Sequence, residues 1–312
     1  MQPAVDVSVI ICTRNRADRL LTATAAVQAS MDKAEETGLA CQLLTVDNNS
    51  EDHTRGIVED LARQDPRVHY VLAPIQGIGR ARSAGISAAQ GKAILFTDDD
   101  TRVPAHWIIE MTRPLRSGEA DVVSGGIKMA DDLRRPWMTE DLRSKYYADV
   151  PLPPDVNPGL AGANMGFTCE VGLRLGFDEM LGTPQYPGAE DVIFYVQALE
   201  AGYRVRGVQG ACVTHHFDPS RLEHPHLQRQ AKGYGRCDAY YYHHWLHASF
   251  AHQRLRLFAH RARLLLRRIH AVGRPHHPAL VQAIRTVACH EEMLRLRDGP
   301  RRYVLRGLTL VE

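Results

Sequence analysis

Ile94-Leu95-Phe96-Thr97-Asp98-Asp99-Asp100 is an apolar run that stops abruptly at three carboxylates. Entered from Gly91-Lys92 and left toward Pro104, it reads as a buried strand whose carboxyl end is exposed. Three acids in a row repel one another, and packing gains nothing from them. A hard cation does, because one or two Asp together with a substrate's phosphates complete a Mg²⁺ or Mn²⁺ shell. Taken alone, the triplet also reads as an acidic turn capping the helix that begins near Pro104.

Working back from this strand, Val7 to Cys12 is a compact apolar strand followed by Thr13-Arg14-Asn15-Arg16 and an Ala/Leu-rich helical stretch to about Ala34. Gln42 to Val46 is a second strand, ending in Asp47-Asn48-Asn49-Ser50, with a helix from about Asp52 to Gln64. Val68 to Ala73 is a third, and Gly77 to Gly85 leads through an Ala-rich helix to the acidic strand. Four strand-then-helix units predict a doubly wound α/β sheet, mostly parallel, with ligands at the strands' carboxyl ends. Thr13, Asp47 and the Asp98 to Asp100 cluster all fall at such ends. Each could be a cap or turn residue, but together they describe a crevice suited to a nucleotide. Gly77-x-Gly79 is not a dinucleotide fingerprint, because the third glycine falls at Gly85 and the motif follows the third strand.

The chain has 312 residues, long enough for one large α/β domain with an appendage or for two modest domains, and its 44% hydrophobic and 24% charged content is that of a soluble globular protein. The net charge of +2 conceals an asymmetry: from Arg221 onward there are 17 Lys and Arg against 6 Asp and Glu, and before it 21 against 30. Six scattered cysteines without a C-x-x-C pair argue against a zinc ribbon or a disulfide framework and for a reducing compartment. No signal peptide and no membrane span is expected, so the reading is cytoplasmic.

Six stretches resemble family 2 glycosyltransferases with the GT-A fold, in that family's order: Val9 to Arg16, Val46 to Ser50, Gly79 to Gly85, Thr97 to Asp100, Gly162 to Phe167 and Gly188 to Asp191. The resemblance covers roughly residues 5 to 216. It implies a catalytic domain over residues 1–220 and a site for a nucleoside diphosphate sugar formed by Thr13, Arg14, Asp47, Arg80, Asp98 and Asp99. Arg82 shares with Arg80 the prospect of facing the donor. Asp98 and Asp100 would form the family's D-x-D, with a divalent cation, Mn²⁺ or Mg²⁺, on Asp100 or Asp99. Gly162, Ala163 and Asn164 would border the acceptor and the transferred sugar. Asp191 would be the general base, with Glu190 as the fallback, in an inverting single displacement onto a hydroxyl acceptor such as a glycan, a lipid-linked saccharide or a natural product.

The remaining segments are read from the residues themselves. Asp121 to Gly126 is a further strand, and Val192 to Ala201 a helix introduced by Glu190-Asp191. Tyr203 to Val208 and Ala211 to Thr214 read as two short strands ending at His215-His216, a pair that could add a nitrogen ligand to the metal, with His216 the named candidate, or contact the donor phosphates. The stretch from Arg134 to Pro158, rich in proline and aromatics, reads as a long loop or broken helix. Residues 221–312 turn helical, and between Arg254 and Ile269 arginines alternate with leucine and phenylalanine. Such an amphipathic pattern fits an anionic bilayer surface, or packing on the catalytic domain with solvated arginines. Nucleic acid is not expected, as the basic region has no recognised motif. The competing functions are nucleotidyl transfer and a sugar-nucleotide binding module without activity.

Overall fold

The apolar strands form because both of their faces are covered. In the computed structural model, which describes residues 5–152, 159–249 and 251–303, β1 (Val7–Thr13) is buried at all seven positions. Its side chains alternate between two cores: Val7, Val9 and Ile11 enter one, Ile10 and Cys12 the other. A strand covered on both sides reads as a continuous hydrophobic run, with no polar alternation.

In chain order, β1 is followed by α1 (Ala17–Glu35), β2 (Cys41–Asp47), α2 (Thr54–Gln64), β3 (Val68–Leu72), α3 (Ile78–Ala88), β4 (Ala93–Asp98), the two-residue β5 (Thr101–Arg102), α4 (Trp107–Arg116) and β6 (Val122–Met129). Then come α5 (Glu140–Tyr147), β7 (Asn164–Thr168), α6 (Cys169–Leu175), α7 (Glu190–Glu200), β8 (Val205–His215), α8 (His224–Tyr240), α9 (Gln253–His270) and α10 (Pro278–Leu296). The eight strands make one sheet in the order β3-β2-β1-β4-β7-β6-β8-β5. β1 to β4 pair in parallel, and β7 inserts antiparallel between β4 and β6. This is the mixed, doubly wound sheet expected, with a helical C-terminal part.

One local expectation is corrected, and two segments gain definition. Gly162-Ala163-Asn164-Met165, read as a small-residue segment, leads into a strand, because Asn164 to Thr168 finds open edges on both β4 and β6. The two short strands expected before His215 are one, β8, whose register against β6 shifts between Gly125 and Ile127 so that residues 209–212 bulge past the partner. In the stretch from Arg134 to Pro158, α5 forms and Val150 bridges Ile127, while Pro153, Pro154 and Pro158 lie outside the described residues.

The chain divides into two compact units. The first takes the chain up to Ala130, Ala148–Glu179 and Glu190–Phe217, and contains the whole sheet. The second takes Asp131–Tyr147, Met180–Ala189 and the chain from Asp218 onward, so two segments from within the first 220 residues belong to the helical unit. In that unit α8 and α10 lie close enough that a Cβ at Gly235 would meet the Arg285 carbonyl oxygen. Arg285 grips Asp238 through two nitrogens, each at 2.6 Å, and the Tyr186 hydroxyl donates to Glu292 at 2.8 Å.

Candidate active site

Parallel register places the sequence motifs side by side. Thr13, the last residue of β1, is level with Asp47 at the end of β2, and Cys12 is level with Asp98 at the end of β4. All three strands therefore end along one edge of the sheet, where backbone groups leave the ladder and polar side chains gather.

The Thr13 hydroxyl donates to Asp99 Oδ2 at 2.7 Å. Arg16, one turn further, bridges Asp99 Oδ1 at 2.8 Å and Asp100 Oδ2 at 3.1 Å. From β8, the His215 imidazole stands 3.3 Å from Asp100 Oδ1. His216 meets this group through its backbone: its N–H donates to the Asp100 carbonyl, and its own carbonyl accepts from Arg19. The imidazole beside the acids is thus His215's, one position before the histidine singled out from the sequence.

Asp98, about one third exposed, is the most open of the triplet; Asp99 and Asp100 are buried. Burial raises the Asp98 carboxyl above its ordinary range, Arg82 opposes the shift, and the nearby Asp100 adds to it. Burial likewise lifts Asp99 to about 6 against the pull of Arg16. Crowded carboxylates held up in this way gain from a positive ion. Among the described residues there is no ready group of three His, Cys, Asp or Glu ligands. The donor set is a short row of hard oxygens, which suits a Mg²⁺ or Mn²⁺ ion completed by water and phosphate and does not suit an all-protein cage.

Asp47 is buried, with Oδ1 accepting from the Ser50 N–H at 2.8 Å and Oδ2 from the Tyr70 hydroxyl at 2.9 Å. Asn48 Oδ1 accepts from the Gly77 N–H and so ties the second strand's turn to the start of α3. Arg14 is half-buried, and its Nε has no hydrogen-bond partner among the described residues.

The two arginines of α3 part company. Arg80 lies at the surface, 3.4 Å from Glu179. Arg82, two residues on and 4% exposed, points inward between the rings of Phe96 and Phe177. It pairs with Glu190 Oε1 at 2.5 Å and lies 3.9 Å from Asp98 Oδ1. A Cβ on Gly162 would collide with this guanidinium and push it from its place. Glu190 and Asp191 form the first turn of α7, and residue 189 before them is an alanine at φ 70. Burial pushes the Glu190 carboxyl up to about 7 against Arg82, and Asp191 adds to the rise. Its Oε2 is buried without a hydrogen-bond partner among the described residues. Asp191 is more open: Oδ2 accepts from the Gly162 N–H at 2.9 Å, and Oδ1 from the Val192 N–H at 2.8 Å.

One guanidinium therefore joins the acidic strand end to the acidic helix start, and Gly162 joins both. Ala163 is buried beside them. Asn164, with no exposed surface, directs its carboxamide into the fold: Oδ1 accepts from the Trp107 indole, and Nδ2 donates to the Gly126 and Ala211 carbonyls. Arg16, His215 and Tyr70 were not among the residues assigned to the site from the sequence, and Arg82 was weighed there only as an alternative to Arg80. The Thr13-Arg14-Asn15-Arg16 motif and the His215-His216 pair were the signals present.

Comparison with known proteins bears on the family and the fold. Residues 8–172 match glycosyl transferase family 2. The succinoglycan biosynthesis protein ExoO of Rhizobium meliloti is 34% identical over 211 residues, 64% of this chain and 57% of that protein. The uncharacterized glycosyltransferase EpsJ of Bacillus subtilis is 26% identical over 110 residues, 35% of this chain and 32% of EpsJ, so the chain spans only part of these relatives' lengths. Among solved structures, the mannosyltransferase PcManGT from Pyrobaculum calidifontis, in complex with GDP-Man and Mn²⁺, superposes with a TM-score of 0.61 at 18% identity, covering 94% of this chain and 88% of that one. S. aureus TarS 1-349 does so with a TM-score of 0.53 at 17% identity, covering 97% and 95%. The fold is GT-A, and with the match running over more than half of its length, this chain belongs to glycosyl transferase family 2.

Proposed function

We propose that this glycosyltransferase moves a sugar from a nucleoside diphosphate donor to a hydroxyl acceptor in one displacement, with inversion at the anomeric carbon. The observation that carries the reading is Arg82, which holds Asp98 on one side and Glu190, next to Asp191, on the other. A site with acids for a cation and diphosphate at one end and a half-exposed carboxylate at the other has the parts of a single displacement.

In this reading the nucleoside lies along the ends of β1 and β2, against Thr13, Arg14 and Asp47. Asp98 and Asp100, with Asp99 behind them, would hold the divalent cation, Mn²⁺ or Mg²⁺. When bound, the ion neutralises charge growing on the departing diphosphate. Asp191 takes the proton of the acceptor hydroxyl. The freed oxygen forms the new bond to the anomeric carbon while the bond to the diphosphate breaks and its electron pair leaves with the nucleotide. No covalent enzyme intermediate is needed. Glu190, already paired with Arg82, positions the start of α7, and Arg80 contributes at the rim. Gly162 and Ala163 let the sugar approach the backbone closely. A cytoplasmic location fits the six free cysteines.

Several neighbours support the donor class: PcManGT was solved with GDP-Man and Mn²⁺, TarS with UDP, and a glucosyl-3-phosphoglycerate synthase from Mycobacterium tuberculosis with Mn²⁺ and UDP. The test is release of nucleoside diphosphate from a panel of nucleotide sugars, with Mn²⁺ and with chelator. Asp191→Asn should keep donor binding and lose roughly 10²- to 10⁴-fold in turnover. A chain that binds no nucleotide sugar with Mn²⁺ present would overturn the donor site, and an Asp191→Asn enzyme of undiminished rate would overturn the base.

A further inference from the structure

We propose that the outer face of α9 docks on the surface of a bilayer rich in anionic lipid. Leu255, Phe258, Leu265, Leu266 and Ile269 recur at helical spacing and form one stripe, and all of them are exposed, Phe258 by 75% and Leu255 by 69%. The opposite face of α9 is already occupied. Gln253 is buried and hydrogen-bonded to His290 of α10, Leu257 is buried, and the His260 ring stacks on that of His290. The apolar stripe is therefore not the side that holds the helix in its unit. A row of large apolar side chains turned to water is costly unless something covers it.

Charge identifies what covers it. Arg254, Arg261 and Arg268, seven residues apart, follow one margin of the stripe, and Arg256, Arg263 and Arg267 follow the other. All six are exposed, and α9 contains no Asp or Glu. Arg261 on the first margin pairs with Glu291 of α10 at 2.7 Å, and the cavity of about 360 Å³ beside it is lined by Lys232, Arg236, Arg268 and Arg295 together with Glu291 and Glu292, so the uncompensated charge lies mainly on the stripe's own margins. Two rows of guanidinium groups on either side of an apolar ridge match a surface whose phosphates lie level with the start of its acyl chains. A second copy of the chain is a poorer occupant, since pairing through this face would set one arginine-flanked ridge against another with no acid on either helix. Among the described residues no helix is long and apolar enough to cross a membrane, so the contact is one of lying on the surface. The proposal is independent of which donor or acceptor the sheet unit uses.

The full chain, sedimented with phosphatidylcholine vesicles containing phosphatidylglycerol, should pellet with them, stay in solution with phosphatidylcholine alone, and release as salt is raised. The triple variant Phe258→Ser/Leu265→Ser/Ile269→Ser should bind at least ~10-fold more weakly. Arg256→Gln/Arg263→Gln/Arg267→Gln should lose about 100-fold. Circular dichroism and melting temperature should stay those of wild type, because every altered side chain is exposed. The salt titration needs no variant and decides the matter even if one misfolds. Failure of the wild type to bind anionic vesicles, or equal binding to neutral ones, would overturn the proposal. So would a dimer seen by light scattering that the serine variant dissolves.

Discussion

Replacing Arg82 with alanine removes the only cation within 4 Å of Glu190 among the described ion pairs, and leaves a carboxyl 6% exposed. Breaking a buried pair from one side costs about 3–5 kcal/mol, because the charge left behind has neither water nor partner. That is a large share of the ~5–15 kcal/mol that holds a domain folded. The cost should depend on pH, with a definite sign. Burial already lifts Glu190 to about 7 with the arginine present, and without it the carboxyl rises further. A group whose folded value stands above its unfolded one is least costly below the unfolded value, and its stability is lost as pH rises through the folded one. In Arg82→Ala, Glu190 can escape its penalty at pH 6 by taking a proton, but is pressed to ionise at pH 8.5. The deficit relative to wild type should therefore be smaller at the lower pH and approach the full ~3–5 kcal/mol at the higher. Urea unfolding of both proteins at the two values measures it. A deficit under about 1 kcal/mol, or one that does not change between them, would refute the account of Arg82 as the centre of the site.

Gly162→Ala places a methyl group where the Arg82 guanidinium lies; it should cost about 1–3 kcal/mol by urea unfolding and lower turnover by displacing the arginine. Ala189→Gly relieves a residue at φ 70, so stability should rise by up to ~1 kcal/mol, read as a higher melting temperature. Asn164→Ala strands the Trp107 indole N–H and the Gly126 and Ala211 carbonyls. At about 1–3 kcal/mol for each unsatisfied group, calorimetry should find the chain severely destabilised, whereas a residue that served only the acceptor would leave the melting temperature unchanged.

The sequence exposed most of the sheet because strands covered on both faces are long apolar runs, and β1, β2 and β4 are of that kind. Their ends could be read because each finishes in a polar residue that the interior would not tolerate. β7 escaped notice because its segment reads as backbone approaching a ligand, yet Gly166 within it is what lets the strand lie against β4, where a Cβ would meet the Leu95 side chain. β8 was divided because Gln209-Gly210 resembles a hairpin turn, whereas in the fold it forms a bulge. Arg80 and Arg82 could not be told apart by pattern. A charge buried between Phe96 and Phe177 is visible only once residues 82, 162 and 190, far apart in the chain, have been brought together. The recruitment of Asp131–Tyr147 and Met180–Ala189 to the helical unit is likewise a matter of long-range contact that local periodicity does not encode.

The antiparallel insertion of β7 sets the order in which the protein can be assembled. β4 ends at Asp98 and β6 at Met129, but the strand that joins them starts only at Asn164. Until the ribosome has released those later residues, two hydrophobic ladders wait with unpaired backbone, the condition in which nascent chains adhere to one another. Fragments that stop before residue 164 should therefore precipitate, and those carried through β8, the other partner of β6, should be the first to stay dispersed.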